Sequence, residues 1–149
     1  MKNTALKRIA TETEPYRLEQ QVGYILRQAS QRHAAIFAAR IPGELTATQF
    51  AALAKLAECG PCSQNHLGRM TSMDVATVKG VTDRLIQRGL VEARPDPEDS
   101  RRRVLALTPL GTEAAQGAIP AALAITEETL EPLTPNERAA FLDLLKKLR

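Results

Sequence analysis

An aspartate followed closely by three arginines, Asp99-Ser100-Arg101-Arg102-Arg103, is the group of side chains in this 149-residue chain that most invites a chemical reading. Arginines at that density neutralise phosphates, and a carboxylate two residues from a guanidinium can orient it through a charge-assisted hydrogen bond. One arginine of the three could enter a minor groove while the others meet phosphates. Upstream, Thr77, Lys79, Gly80, Asp83, Arg84 and Gln87 share one side of a helical pattern whose other side is Val75, Val78, Val81, Leu85 and Ile86. A helix that reads a major groove must offer hydrogen-bonding side chains to base edges and phosphates, and a glycine on that side lets the backbone come close. Ser63 and Gln64 open the preceding helix, where first-turn amides can hold a phosphate. Each group has an ordinary alternative: a solvated helix face, or loop arginines that serve solubility. Their order points to DNA, because cap, short helix, turn, helix, glycine, hairpin and arginines follow one another without interruption.

A second group is Cys59-Gly60-Pro61-Cys62, with His66 nearby. A redox motif of this spacing needs a preceding strand and a helix N-terminus to lower the first thiol's pKa. Here a helix precedes it and no βαβ unit exists, so a Gly-Pro turn with incidental cysteines is the plainer reading. A cysteine-based redox sensor, or a small thiol-redox protein, remains open as an alternative. Cys59, Cys62 and His66 supply three ligands where a structural zinc site wants four. There is no phosphate loop, nucleophile elbow or paired carboxylate, so no catalytic residue, metal or cofactor is expected and the chain does not read as an enzyme.

The elements that must position these groups are mostly helical. Leu18, Val22, Ile25, Leu26, Ala29, Ile36 and Phe37 predict a long amphipathic helix from about Pro15 to Arg40, ended by Ile41-Pro42-Gly43. Its length suggests a partner chain to lie against. Thr46-Ala47-Thr48-Gln49 is a capping-box pattern that starts a second helix, with Phe50, Leu53, Leu56 and Ala57 inward. Ser63 caps a short third helix to Met70, and a fourth runs over 74–88 with Gly89 as its left-handed terminus. Leu90–Arg94 and Arg103–Leu107 then read as two strands around a turn-rich tip, a β-hairpin. Thr108-Pro109 starts a fifth helix to about Leu130, in which Pro120 predicts a kink or break. Thr134-Pro135-Asn136-Glu137 is a second capping box and starts a last helix to Leu148. Phe141, Leu144, Leu145 and Leu148 share one face of it.

Bulk properties agree with this arrangement. Aromatics are only 3% of the chain, so the core must come from Leu, Ile, Val and Ala, which suits helix-on-helix packing. A net charge of +3 permits nucleic-acid binding without establishing it. No apolar run is long enough to span a bilayer, and the N-terminus lacks a secretory pattern, so a cytoplasmic location is expected. Residues 1–13 read as a loose arm. The fold class expected is mainly α, a winged helix-turn-helix with a two-stranded β-hairpin wing, flanked by long dimerisation helices.

Residues 89–111 resemble the wing signature of MarR-family regulators: Arg94-Pro95-Asp96-Pro97, then Asp99-Ser100-Arg101 at the tip, then Leu107-Thr108-Pro109-Leu110-Gly111. Leu45-Thr46-Ala47-Thr48-Gln49-Phe50 and Val78-Lys79-Gly80-Val81-Thr82-Asp83-Arg84-Leu85 also fit that family, and the resemblance spans roughly residues 15–148. Residues 27–83 look similar to a subgroup linked to breakdown of nicotinate and related aromatic acids. The resemblance implies a single domain over 1–149, with 15–41 and 109–149 interlocking two copies and 45–108 reading DNA. It implies a homodimer on a pseudo-palindromic operator, released by a small ligand, often an aromatic acid. The family's minor-groove arginine falls on Arg101 and its partner on Asp99. With the ligand site at the junction of the two regions, Arg17, Tyr24, His33, Phe37, Phe50 and His66 are the candidate ligand residues, a cation for the carboxylate and aromatics for the ring. A DNA-binding protein without an effector, such as an architectural factor, is a further alternative.

Overall fold

The structure, a computed structural model, describes residues 15–149. The arm expected over residues 1–13 lies outside the described residues. Six helices and one hairpin follow in the order α1 (Val22–Arg40), α2 (Ala47–Cys59), α3 (Gln64–Thr71), α4 (Val75–Gln87), β1 (Val91–Pro95), β2 (Arg103–Leu107), α5 (Pro109–Leu130) and α6 (Pro135–Lys146). This is a mainly helical winged helix-turn-helix.

The first helix starts later than its periodicity predicts. Leu18–Gln20 form a 3-10 turn, and Gln21 is extended at φ −84° and ψ 137° before α1 begins. The Gln21 side chain donates to the Arg17 carbonyl at 2.9 Å, satisfying a group that a continuous helix would have bonded internally. Apolar spacing could not distinguish one turn of 3-10 helix from one of α.

Helix starts were the most legible features. Thr46 accepts from the Gln49 amide while Gln49 Oε1 accepts from the Thr46 amide, and Thr134 with Glu137 repeats this reciprocal box. Ser63, Asp74 and Thr108 each cap their helix through the amide three residues on. Gly89 ends α4 at φ +72°, as expected.

Of the kink or break expected at Pro120, the break does not occur, and helix α5 runs through that residue. Proline removes the hydrogen bond to the carbonyl four residues earlier, at Gln116. Both Gln116 and Pro120 are exposed, so that carbonyl can meet solvent while Ala115, Ala118 and Ile125 stay packed on the other side.

The core is built by Ala52, Leu53 and Leu56 of α2, Leu67 of α3, Val78, Val81 and Leu85 of α4, Leu90, Val91 and Leu105 of the wing root, and Ala115 and Ala118 of α5. At this scale each buried leucine is worth about 1.5–3 kcal/mol relative to exposure. No residue of α1 or α6 is buried, and Val22, Ile25, Leu123, Leu144 and Leu148 are half exposed or more. Two expected core residues of α4 are also exposed, Val75 and Ile86. Val75 stands at the first turn of α4, beyond the cover given by the preceding helix.

The two strands pair antiparallel with Val91 opposite Leu107 and Pro95 opposite Arg103. The hairpin is not alone. Cys62 exchanges both backbone hydrogen bonds with Leu105, at 3.1 and 2.8 Å, adding one residue of a third strand. The wing root is fastened to α5: the Thr108 amide and hydroxyl donate to the Leu90 and Gly89 carbonyls. Gly111 sits so close to this junction that a Cβ there would lie 1.8 Å from the Leu90 oxygen.

Candidate nucleic-acid interface

On α4 the structure exposes Thr77, Lys79, Gly80, Asp83, Arg84 and Gln87, the side that the sequence assigns to DNA. A Cβ at Gly80 would meet nothing within 4 Å among the described residues, so none of them explains that glycine. Lys79 and Asp83 pair at 2.7 Å, one turn apart. Such an exposed pair contributes little to stability and leaves the lysine available to a stronger anion. The Asp74 carboxylate accepts from the Thr77 amide at 2.7 Å, and that bond holds its pKa below the ordinary aspartate value.

The helix preceding α4 has a more structural role than its sequence suggests. The Ser63 hydroxyl is used as the α3 cap, accepting from His66. Gln64 turns its amide oxygen to the fully buried Thr82 hydroxyl at 3.2 Å, a tie between α3 and α4. That hydroxyl also lies 2.8 Å from the Val78 carbonyl of its own helix, so of the two residues nominated for phosphate Gln64 ties α3 to α4 and Ser63 caps α3.

At the wing tip, Asp99 organises the loop. It accepts from the Arg101 amide at 3.1 Å and from the Arg101 guanidinium Nε at 3.1 Å and Nη2 at 3.3 Å. Arg102 stands 3.7 Å away. The Arg101 guanidinium hydrogen bonds, followed by its backbone amide, hold the Asp99 carboxyl below the ordinary range. Asp99 is only 28% exposed, whereas the Arg101 side chain is 89% exposed. A guanidinium presented to solvent and braced by a carboxylate is pre-organised for an external anion or groove. Arg103 instead folds back on the Ala93 carbonyl at 3.1 Å. Between the wing and α3 lies an open cleft in which Arg69, Arg102, Arg103 and His66 face one another. Arg69 was not singled out by sequence. A guanidinium only donates, so its 3.3 Å contact with His66 Nδ1 makes that nitrogen an acceptor.

The candidate ligand residues fall in several places. Phe37 and Phe50 meet with centroids 6.4 Å apart and planes tilted by 60°. Tyr24 lies under the Arg27 guanidinium, 5.5 Å from the ring centroid. His33 lines an apolar cleft of about 410 Å³ with Leu26 of α1, Leu130 of α5, and Phe141 and Leu145 of α6. The Thr129 hydroxyl donates to the Ile125 carbonyl at 2.7 Å, so it accepts from His33 Nδ1 at 2.9 Å. Arg17 is exposed ahead of α1, and His66 belongs to the wing cleft rather than the one that holds His33.

The two cysteines are free. Burial, reinforced by Cys59, pushes the Cys62 thiol above its ordinary pKa, which leaves less of the nucleophilic thiolate. Among the described residues, no three His, Cys, Asp or Glu side chains come together as a metal site.

The MarR family profile matches residues 45–103, from the α2 cap to the start of β2. Over 148 residues the chain is 39% identical to the HTH-type transcriptional repressor NicR of Pseudomonas putida, covering 99% of this chain and 94% of that one. The chain belongs to the MarR family. Among solved MarR-like structures, a probable transcriptional regulator from Pseudomonas aeruginosa superposes with a TM-score of 0.87 at 47% identity, over 89% of this chain and all of that one. BpsR of Bordetella bronchiseptica, whose DNA binding is regulated by 6-hydroxynicotinic acid, gives 0.85 at 43% identity, over 91% and 97% of the two chains. The MarR-family relatives are transcriptional regulators rather than enzymes. No described helix is long and apolar enough to cross a membrane.

Proposed function

We propose that this MarR-family chain is a homodimeric transcriptional repressor that binds a pseudo-palindromic operator and is released by an aromatic carboxylic acid. The observation that carries the reading is the wing tip, where Asp99 braces an almost fully exposed Arg101. Residues 45–108 form the DNA-reading lobe. Arg101 enters the minor groove, Lys79, Arg84 and Arg102 meet phosphates, and Thr77 reads base edges. Val75, exposed at the start of α4, suits a thymine methyl. The first-turn amides behind Ser63 and Gln64 face the backbone, and Arg103 supports the wing from within.

Residues 15–41 and 109–149 pair the two copies. The support is an apolar surface on α1, α5 and α6 that one chain leaves uncovered. Dimerisation sets the two α4 helices about one DNA turn apart.

The identities to NicR and BpsR favour a nicotinate-like acid as effector. Its site draws on Arg17 ahead of α1, on Tyr24, His33 and Phe37 along α1 and on Phe50 at the start of α2, and leaves out His66, which lines the wing cleft. The tilted Phe37–Phe50 pair offers ring contact, and the second His33 ring nitrogen is left for a polar group. The effector acts only through its different affinity for the two spacings of the α4 helices.

The test is a titration of the purified protein against its own upstream promoter region, with and without a panel of aromatic carboxylates. Tight, salt-dependent, site-specific binding that a carboxylate abolishes is the expected result. Binding without sequence preference would favour an architectural factor instead.

A further inference from the structure

From the Arg88 geometry we infer that this residue is a positioning residue for DNA recognition, a strut that fixes α4 against the α1–α2 turn and so sets operator half-site spacing. The inference rests on the DNA-binding function proposed above.

Arg88 is the residue that closes α4, at φ −79° and ψ −3°. Its guanidinium does not face outward alone. Nη2 donates to the Gly43 carbonyl at 2.5 Å, and Nη1 to Gln49 Oε1 at 3.4 Å. Both acceptors are fixed. Gly43 and Glu44 hold left-handed conformations at φ +73° and +52°, the turn through which α1 hands over to α2. Gln49 is 7% exposed, and the same oxygen accepts from the Thr46 amide in the α2 capping box. One planar group therefore spans 45 residues of sequence and joins the end of the recognition helix to the α1–α2 turn and the start of α2.

Packing supplies part of this link, because Leu45 of the turn shares the core with Leu85 and Leu90, and Arg88 adds the polar part. A cavity of about 190 Å³ lies beside it, walled by Pro42, Leu45, Leu90, Ala114 and Gly117 with Arg88. The core holds α4 against α2 and α3 through Val78, Val81 and Leu85, with Leu85 in the last turn and Arg88 just beyond it. Among the described residues, Arg88 makes the side-chain hydrogen bonds from the end of α4 to the α1–α2 turn, at Gly43, and to the first turn of α2, at Gln49. A lysine keeps the charge but lacks the fork that reaches two acceptors at once.

The strut matters because a dimer reads spacing. Two recognition helices meet successive major grooves only when their separation matches the half-site distance. Loosening each α4 against its own α1–α2 turn leaves base contacts intact within a half-site and widens the range of separations the dimer can adopt.

The experiment compares wild type, Arg88→Lys and Arg88→Met on synthetic operators with the natural half-site spacing and with one base pair added or removed. Affinity is measured over a salt series, alongside the thermal midpoint. Wild type is expected to prefer the natural spacing by roughly tenfold or more, and both variants by about threefold or less, with unchanged salt slopes. If the variants keep the full spacing preference, the strut is refuted. If Arg88→Met instead lowers the salt slope by about two per dimer with spacing preference intact, Arg88 is a phosphate contact and the inference is equally overturned. A lower thermal midpoint with unchanged spacing preference assigns it to stability alone and overturns it too. Failure of wild type to bind any spacing specifically refutes the function itself rather than the strut.

Discussion

Replacing Arg101 by alanine tests the wing assignment most directly. The side chain is 89% exposed and, among the described residues, its hydrogen bonds run to Asp99, so the fold loses almost nothing when it is removed. An exposed ion pair of this kind contributes little to stability. The thermal midpoint should therefore stay within a few degrees of wild type. DNA binding should respond quite differently. Each copy loses one cation at the phosphates or in the groove they flank, two per dimer, so the slope of log K against log salt should become shallower by about 1.8. Between 50 and 200 mM salt that slope is worth about 12-fold, so the variant's deficit should shrink by this factor as salt rises. The loss should be nearly the same on operator and unrelated duplexes, because the groove and its phosphates carry little sequence information. Fluorescence anisotropy with a labelled operator, repeated at four salt concentrations, provides the slope. An unchanged slope with unchanged affinity would refute the wing contact. A loss confined to the operator would refute its assignment to the backbone and groove.

Four further outcomes follow from the geometry. Gly80→Ala should stabilise α4 by up to about 1 kcal/mol, because the position is open and helical, yet weaken operator binding if the DNA backbone comes close there; tighter or equal binding counts against that approach. Gly111→Ala should destabilise by about 3 kcal/mol and lower the melting temperature by roughly 10 °C, because its Cβ would strike the Leu90 backbone; a melting curve like that of wild type contradicts the packing described. The Asp99 carboxyl, followed by NMR, should titrate below the ordinary aspartate range and move upward in Arg101→Ala. Because its folded pKa is depressed, the stability it lends is present in full above the unfolded value and lost as pH falls below about 4, so this pair contributes no pH dependence between 5 and 8. Finally, with Cys62 half-buried, paired through its backbone to Leu105 and raised in pKa, modest peroxide should leave operator binding unchanged; a peroxide-induced release that Cys59→Ser or Cys62→Ser abolishes would revive redox sensing.

Local rules explain what could be read in advance. Caps at Thr46, Ser63, Asp74, Thr108 and Thr134, and the left-handed Gly89, are decided by neighbours three or four residues away, so sequence carries them almost whole. The Asp99–Arg101 contact spans two residues and was legible for the same reason. What lies outside local rules has another cause. Val75 obeys the apolar period of α4 but lies beyond the reach of its cover, and only the placement of α3 reveals that. Pro120 breaks a helix in isolation and not in one held on its opposite side by Ala115, Ala118 and Ile125. Gln64 reads as a polar helix start, whereas its partner Thr82 is 18 residues away. Arg88 and Arg69 carry no sequence signal beyond a basic residue near a helix end; their meaning lies in acceptors contributed by other elements.

The wing root gives the hairpin the mechanics of a lever. Thr108 clasps the Gly89 and Leu90 carbonyls, and Gly111 lets the α5 backbone press against Leu90, so the pivot is clamped to the helix rather than hinged on a loose loop. Five paired residues and the turn beyond them place Arg101 roughly 20 Å from that pivot. A 5° tilt of α5 then swings the guanidinium by about 1.7 Å, more than half the length of a hydrogen bond, without any residue changing its local conformation. Small angular errors at one end of α5 become whole contacts made or missed at the tip.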